Sequence, residues 1–222
     1  MSERSPSSLV IQAILRQQVV PVFHHDDAAY AQQIVDTCYQ AGIRVFEFAN
    51  RGTNAFAVFT KLREYVSARY PDLLLGSGTI YNAKEAEVFL EAGADFIVQP
   101  ITTADVAAVC RHHDVPWIPS ALTPNEIFHA TRLGAALVKI FPGSIVGPDY
   151  VRAVLAPMPN VKVMVTGGVE PTEESLRAWF EAGVSVVGMG SKLFIDGEDQ
   201  AALGARIAQV VQLAATYQQN RS

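Results

Sequence analysis

The sequence predicts an α/β fold: a parallel (β/α)8 barrel of the TIM type with an extra N-terminal helix, formed as one domain over residues 1–222. Three observations carry that expectation. Of the 222 residues, 50% are hydrophobic and 18% charged, which suits a single substantial core. Eight short β-branched runs alternate with longer segments whose apolar residues recur at three-to-four spacing. A weak repeat, "QAGIRVFEF", "EAGADFIVQ", "RLGAALVKI" and "EAGVSVVGM", sets Gly42, Gly93, Gly134 and Gly183 between a helix and the next strand, at intervals of 51, 41 and 49 residues. Glycine there supplies the left-handed helix cap that turns the chain into a short loop. An open doubly wound sheet would instead need a glycine-rich turn after the first strand, and that turn reads "FHHDDAAY".

In chain order, residues 1–7 are expected to be a flexible tail and 7–17 a helix closing the barrel bottom. Expected strands are 19–23, 45–50, 73–79, 96–100, 117–121, 137–141, 161–166 and 185–189. Between them, helical spacing covers 28–40, 55–68, 83–91 and 173–181, and 214–222 reads as a polar C-terminal end. Helix starts are marked by Asp26 or Asp27, Asn82, Thr102, Thr123 and Thr172. Thr123-Pro124-Asn125-Glu126 combines an N-cap, a first-turn proline and a capping-box acid.

A formal charge of −5 argues against nucleic acid or an anionic membrane as partner, since both reward a basic surface. Any anionic ligand must be met by local groups. Cys38 and Cys110 show no CxxC or Cys/His spacing, which predicts neither a disulfide scaffold nor structural zinc. "MSERSPSSLV" lacks a signal-peptide core, and no run approaches the ~20 apolar residues of a membrane span. A soluble, cytoplasmic protein is expected.

Function in such a barrel sits where strands end, and residue parity decides what points inward. "AALVKIFPGS" holds Lys139 inside an apolar run, on the same side as Leu137 and Phe141. It reads as a snorkelling lysine, as a structural ion pair with Glu47, or as a catalytic amine that an apolar barrel keeps neutral and nucleophilic. The catalytic amine fits best. Lys61 and Lys84 fall on helices, Lys162 at the wrong end of a strand, and Lys192 beyond the last strand. In "RVFEFANRG", Glu47 shares its side with Val45, Ala49 and Arg51, while Phe46 and Phe48 face the helices. Arg51 is either a rim partner of Glu47 or a bidentate carboxylate clamp, with Glu47 as acid/base. "GSGT" brings Thr79 to the rim. "VTGGVEP" and "GMGS" follow the seventh and eighth strands, where backbone N–H groups commonly hold phosphate. The two "HHD" strings fall at opposite ends of the barrel, so one metal ion cannot use both. A contact of His24 or His25 with the far end of a substrate stays open.

Glu47-x3-Arg51, Gly76-Ser-Gly-Thr79, Lys139-Ile-Phe-Pro142, Thr166-Gly167-Gly168 and Gly190-Ser191 occur in an order that resembles one family. It is that of the 2-keto-3-deoxy-6-phosphogluconate (KDPG) and 4-hydroxy-2-oxoglutarate (KHG) aldolases, and the likeness runs from about residue 8 to about 213. The resemblance implies a trimeric class I aldolase needing neither cofactor nor metal, acting on pyruvate and phosphorylated sugar acids. It assigns the Schiff-base lysine to Lys139 and the acid/base to Glu47. Carboxylate contacts fall on Arg51 and Thr79 with Thr166 lining the site, and phosphate contacts on Gly167, Gly168, Gly190 and Ser191. This chain departs from the family pattern at Ala49, Gln99-Pro100-Ile101, Ser120 and Met189, positions expected to wall the distal substrate. Rival readings are a phosphosugar isomerase or epimerase, a non-catalytic binder of phosphorylated metabolites, and a metal-dependent pyruvate aldolase.

Overall fold

The computed structural model describes residues 5–219. α1 (Ser7–Gln17) precedes β1 (Val19–Phe23), α2 (Ala28–Gln40), β2 (Val45–Ala49), α3 (Ala55–Arg69), β3 (Leu74–Gly78), α4 (Ala83–Glu91), β4 (Ile97–Val98) and α5 (Ala104–His112). There follow β5 (Trp117–Ile118), β6 (Ser120–Ala121), α6 (Pro124–Arg132), β7 (Val138–Ile140), α7 (Gly143–Leu155), β8 (Val163–Thr166), α8 (Glu173–Glu181), β9 (Val186–Met189) and α9 (Gln200–Gln219). All sheet pairings are parallel, in the order β5-β4-β3-β2-β1-β9-β8-β7-β6. The two ends of that order are halves of one crossing, parted by Pro119, whose ring has no N–H for the ladder. Gln99 N still donates to Ile118 O on one side at 3.0 Å, and Lys139 N to Pro119 O on the other at 2.7 Å. Eight crossings therefore encircle one interior.

Alternation along the strands sorts the apolar residues into two cores. Phe46, Phe48, Leu75, Val138, Val165 and Val187 pack outward against the helices. Val20, Val45, Phe96, Ile118, Leu137 and Met164 fill the interior together with Val10 and Ile14 of α1. Val10 and Ile14 lie four residues apart, so one face of α1 caps the barrel bottom. Burying each such side chain contributes about 1.5–3 kcal/mol.

Helix ends follow a repeated device. Gly42, Gly93, Gly134 and Gly183 have φ between 94° and 105°. At each, the next residue's N–H reaches back into the last helical turn, as Ile43 N does to Cys38 O at 3.0 Å. α5 ends the same way on Asp114 (φ 50°), a cap the glycine repeat alone does not disclose.

Several expected boundaries change. Of the two candidate caps of α2, the structure selects Asp27, which accepts from Ala29 N and Tyr30 N. Thr103 rather than Thr102 is the N-cap of α5, because the Thr102 hydroxyl is turned to Ser120 O at 2.9 Å. The fourth strand shrinks to two residues, and the fifth is cut at Pro119. At the N-terminus, Ser7 already belongs to α1, and residues 1–4 lie outside the described residues. At the other end α9 continues to Gln219 with Ala214 buried, so the chain from 214 is helix rather than a bare polar end; residues 220–222 lie outside. No helix among the described residues is long and apolar enough to cross a membrane.

Candidate active site

β2 and β7 are not neighbours in the sheet; β1, β9 and β8 separate them. Yet Lys139 Nζ lies 3.8 Å from Glu47 Oε1, a contact possible only through the interior. Both side chains are nearly dry, at 9% and 1% exposure. Glycine makes the space: a Cβ on Gly78 would overlap the Glu47 carboxyl. Burial pushes the Glu47 pKa above the ordinary carboxylate range, against the opposing pull of the Lys139 and Arg51 charges. Its Oε2 is buried without a hydrogen-bond partner, as are Thr166 Oγ1 and His24 Nδ1. An unpaired buried polar atom costs about 1–3 kcal/mol, so three near one another mark a place for a polar ligand.

Above the pair opens a cavity of about 710 Å³, lined by Val22, His24, Ala49, Arg51, Phe141 and Thr166, and by the loops 167–169 and 190–196. Ala49 and Phe141 each follow Glu47 and Lys139 by two residues on the same strand face, so the amine and carboxyl lie one side-chain layer deeper. Thr166 fits at the floor because its register partner is Gly188, where a Cβ would overlap the hydroxyl. Gly167 and Gly168 have φ of 84° and 78°, and a Cβ on Gly168 would fall 2.6 Å from Ser144 Cα. Across the cavity, Leu193 N and Phe194 N both donate to Gly190 O, forming a tight turn rather than a helix.

The structure thus brings Arg51, Thr166, Gly167, Gly168, Gly190 and Ser191 to one cavity, with Lys139 and Glu47 beneath it. Arg51 makes no ion pair or side-chain hydrogen bond among the described residues; its charge acts on Glu47 without a contact, which leaves the guanidinium fork available to an anion. Thr79, directly after β3, is in the left-handed region (φ 60°), an uncommon conformation for a β-branched residue, and does not line the cavity. Lys192, set aside in the sequence as lying beyond the last strand, does line it. Its ammonium meets Glu170 at 2.9 Å, tying the two glycine-bearing loops together; its place directly after Gly190-Ser191 was the available signal.

The two histidine strings part company. His25 Nδ1 accepts from Asp27 N at 3.0 Å, and its ring packs on Tyr30. His24 faces the cavity. Across the molecule His113 pairs with Glu87 at 2.6 Å, binding α5 to α4. The expected distal walls also divide. Met189 is buried in the helix-side core, and Gln99 is fully buried there with its amide oxygen accepting from Trp117 Nε1 at 2.7 Å. Parity turns both away from the cavity, so neither lines it; Ala49 does, and Ser120 is the register partner of Lys139.

Relatives agree with this architecture. The 2-dehydro-3-deoxy-phosphogluconate aldolase of Treponema pallidum is 31% identical over 161 residues, covering 72% of this chain and 75% of the relative. The 2-dehydro-3-deoxy-6-phosphogalactonate aldolase of Escherichia coli K12 is 33% identical over 126 residues, 56% of this chain and 60% of that enzyme. A crystal structure of a 4-hydroxy-2-oxoglutarate aldolase/2-deydro-3-deoxyphosphogluconate aldolase from TTHB1 superposes with a TM-score of 0.80 at 29% identity, covering 92% of this chain and 98% of that one. The family model for KDPG and KHG aldolase matches residues 10–210, and the chain belongs to that aldolase family.

Proposed function

We propose that the protein is a class I aldolase that cleaves a 2-keto-3-deoxy-6-phospho sugar acid to pyruvate and glyceraldehyde 3-phosphate, and that it also takes 4-hydroxy-2-oxoglutarate, giving pyruvate and glyoxylate. The observation that carries the reading is the dry Lys139–Glu47 pair, 3.8 Å apart beneath a cavity with an unpaired arginine at its rim. An isomerase or epimerase would use the same glycine loops and Glu47 but has no need of a buried amine opposite the carboxyl.

Arg51 holds the substrate carboxylate, with Thr166 in support, and Lys139 Nζ attacks carbon 2. The neutral Glu47 carboxyl favoured by burial donates the proton with which hydroxide leaves as water, and an iminium forms. That fixed cation beside Glu47 now favours the carboxylate, as the Lys139 charge does. The carboxylate, through a water, takes the carbon-4 hydroxyl proton. The carbon 3–carbon 4 bond breaks, its electron pair passes into the iminium to give an enamine, and the aldehyde leaves. Glu47 returns the proton to carbon 3, and water hydrolyses the imine to pyruvate and free Lys139. The phosphate rests on the N–H groups of Gly167, Gly168, Gly190 and Ser191.

The proposal includes a cytoplasmic homotrimer. In its support, a designed cage built by fusing symmetric oligomeric domains superposes with a TM-score of 0.83 at 25% identity. Exposed Ile101, Phe128 and Ile145 leave apolar side chains for a partner subunit to cover. Pyruvate release, coupled to lactate dehydrogenase, tests the activity on 2-keto-3-deoxy-6-phosphogluconate, its galactonate epimer and 4-hydroxy-2-oxoglutarate. At least one phosphorylated acid should be cleaved; no pyruvate from any of the three overturns the proposal.

A further inference from the structure

We infer that His24 is the residue that reads the hydroxyl-bearing middle of the substrate and sets the preference at carbon 4, an inference that rests on the aldolase reading above. Strand order makes the case. β1 lies between β2, which carries Glu47 and leads to Arg51, and β9, which leads to Gly190 and Ser191. A substrate stretched from a carboxylate on Arg51 to a phosphate on the glycine loops passes the exit of β1 at its midpoint. His24 stands at that exit. It continues the inward stripe of Val20 and Val22, and its ring lines the cavity.

The neighbours leave room for an imidazole. The β1–β2 register runs Val22 to Glu47 and Phe23 to Phe48, which sets His24 beside the small Ala49. Gly52 (φ 78°) lies on its other side, where a Cβ would sit 3.4 Å from His24 Cε1. The ring has hydrogen-bonding capacity to give. Nδ1 is buried with no partner, and Nε2 is 3.9 Å from Asp26 Oδ1, beyond hydrogen-bond reach. His25 cannot take this role, being fixed by Asp27 N and Tyr30. A one-sided donor–acceptor opposite carbon 4 bonds a hydroxyl of one configuration and misses its epimer.

The test is the ratio of kcat/KM for 2-keto-3-deoxy-6-phosphogluconate and its carbon-4 epimer, the galactonate acid. The wild-type enzyme should prefer one of them. His24→Ala should bring the ratio about tenfold closer to unity, mainly by slowing the preferred epimer, and His24→Asn should restore part of it. A wild type indifferent to the epimers overturns the inference, and so does a His24→Ala enzyme that slows both equally. A wild type that releases no pyruvate from either acid removes the aldolase reading and the inference together. Pyruvate release with an unmoved ratio removes the inference alone.

Discussion

The two ends of the barrel are made by the same eight crossings and obey opposite rules. At the bottom, interior residues such as Val20, Val45 and Phe96 meet Val10 and Ile14 of α1, and the space is filled with hydrocarbon. At the mouth the same inward stripes carry Glu47, Lys139, Thr166 and His24, with glycines where larger side chains would collide. Among the described residues five buried side-chain atoms lack a partner, and three belong to the mouth: Glu47 Oε2, Thr166 Oγ1 and His24 Nδ1. The other two are Gln18 Oε1, at the C-cap of α1, and Ser77 Oγ on β3. Stability is concentrated at one end, and at the other, polar groups kept dry and unpaired are available for chemistry.

Lys139→Ala breaks this contrast most sharply. It should lower kcat for aldol cleavage by more than about 10⁴-fold, the scale of losing a covalent nucleophile, while circular dichroism stays native. Glu47→Gln should cost about 10²–10⁴-fold in kcat, read in the same coupled assay. At the opposite end Ile14→Ala should destabilise by about 2–5 kcal/mol in a denaturant melt, with kcat per folded molecule unchanged. Arg51→Met should raise KM for pyruvate-forming substrates about 10- to 150-fold, the worth of a charge-assisted hydrogen bond, with a smaller change in kcat.

The smallest effect is in stability against pH. Burial raises the Glu47 pKa in the folded state, so the folded protein holds that proton more tightly than the unfolded chain does. The stability linked to it is complete below about pH 4.3 and is lost as pH rises through the raised value. Glu47→Gln lacks that loss. Its melting temperature should therefore gain on the wild type as pH rises above about 4.3, and parallel curves would contradict the assignment.

Most of the barrel was legible in the sequence because period-two and near-four-residue patterns are local. Glycine caps, N-cap threonines and the inward parity of Glu47 and Lys139 needed no tertiary information. What escaped depends on several strands at once. Gln99 and Met189 looked like wall residues because they depart from the pattern of the family the chain resembles, but parity buries them toward the helices. Lys192 lies past a strand end, yet the Gly190 turn folds it back over the cavity. The division between His24 and His25 rests on a backbone N–H, Asp27 N, that chooses one of two adjacent imidazoles.

Reductive trapping addresses the chemical claim most directly. The enzyme is incubated with pyruvate and sodium borohydride, digested, and its lysine-containing peptides are weighed. A pyruvate-derived secondary amine is expected on the peptide carrying Lys139, with loss of activity in proportion to it. An active enzyme that stays unmodified, or carries the adduct on Lys162 or Lys192 instead, would contradict it.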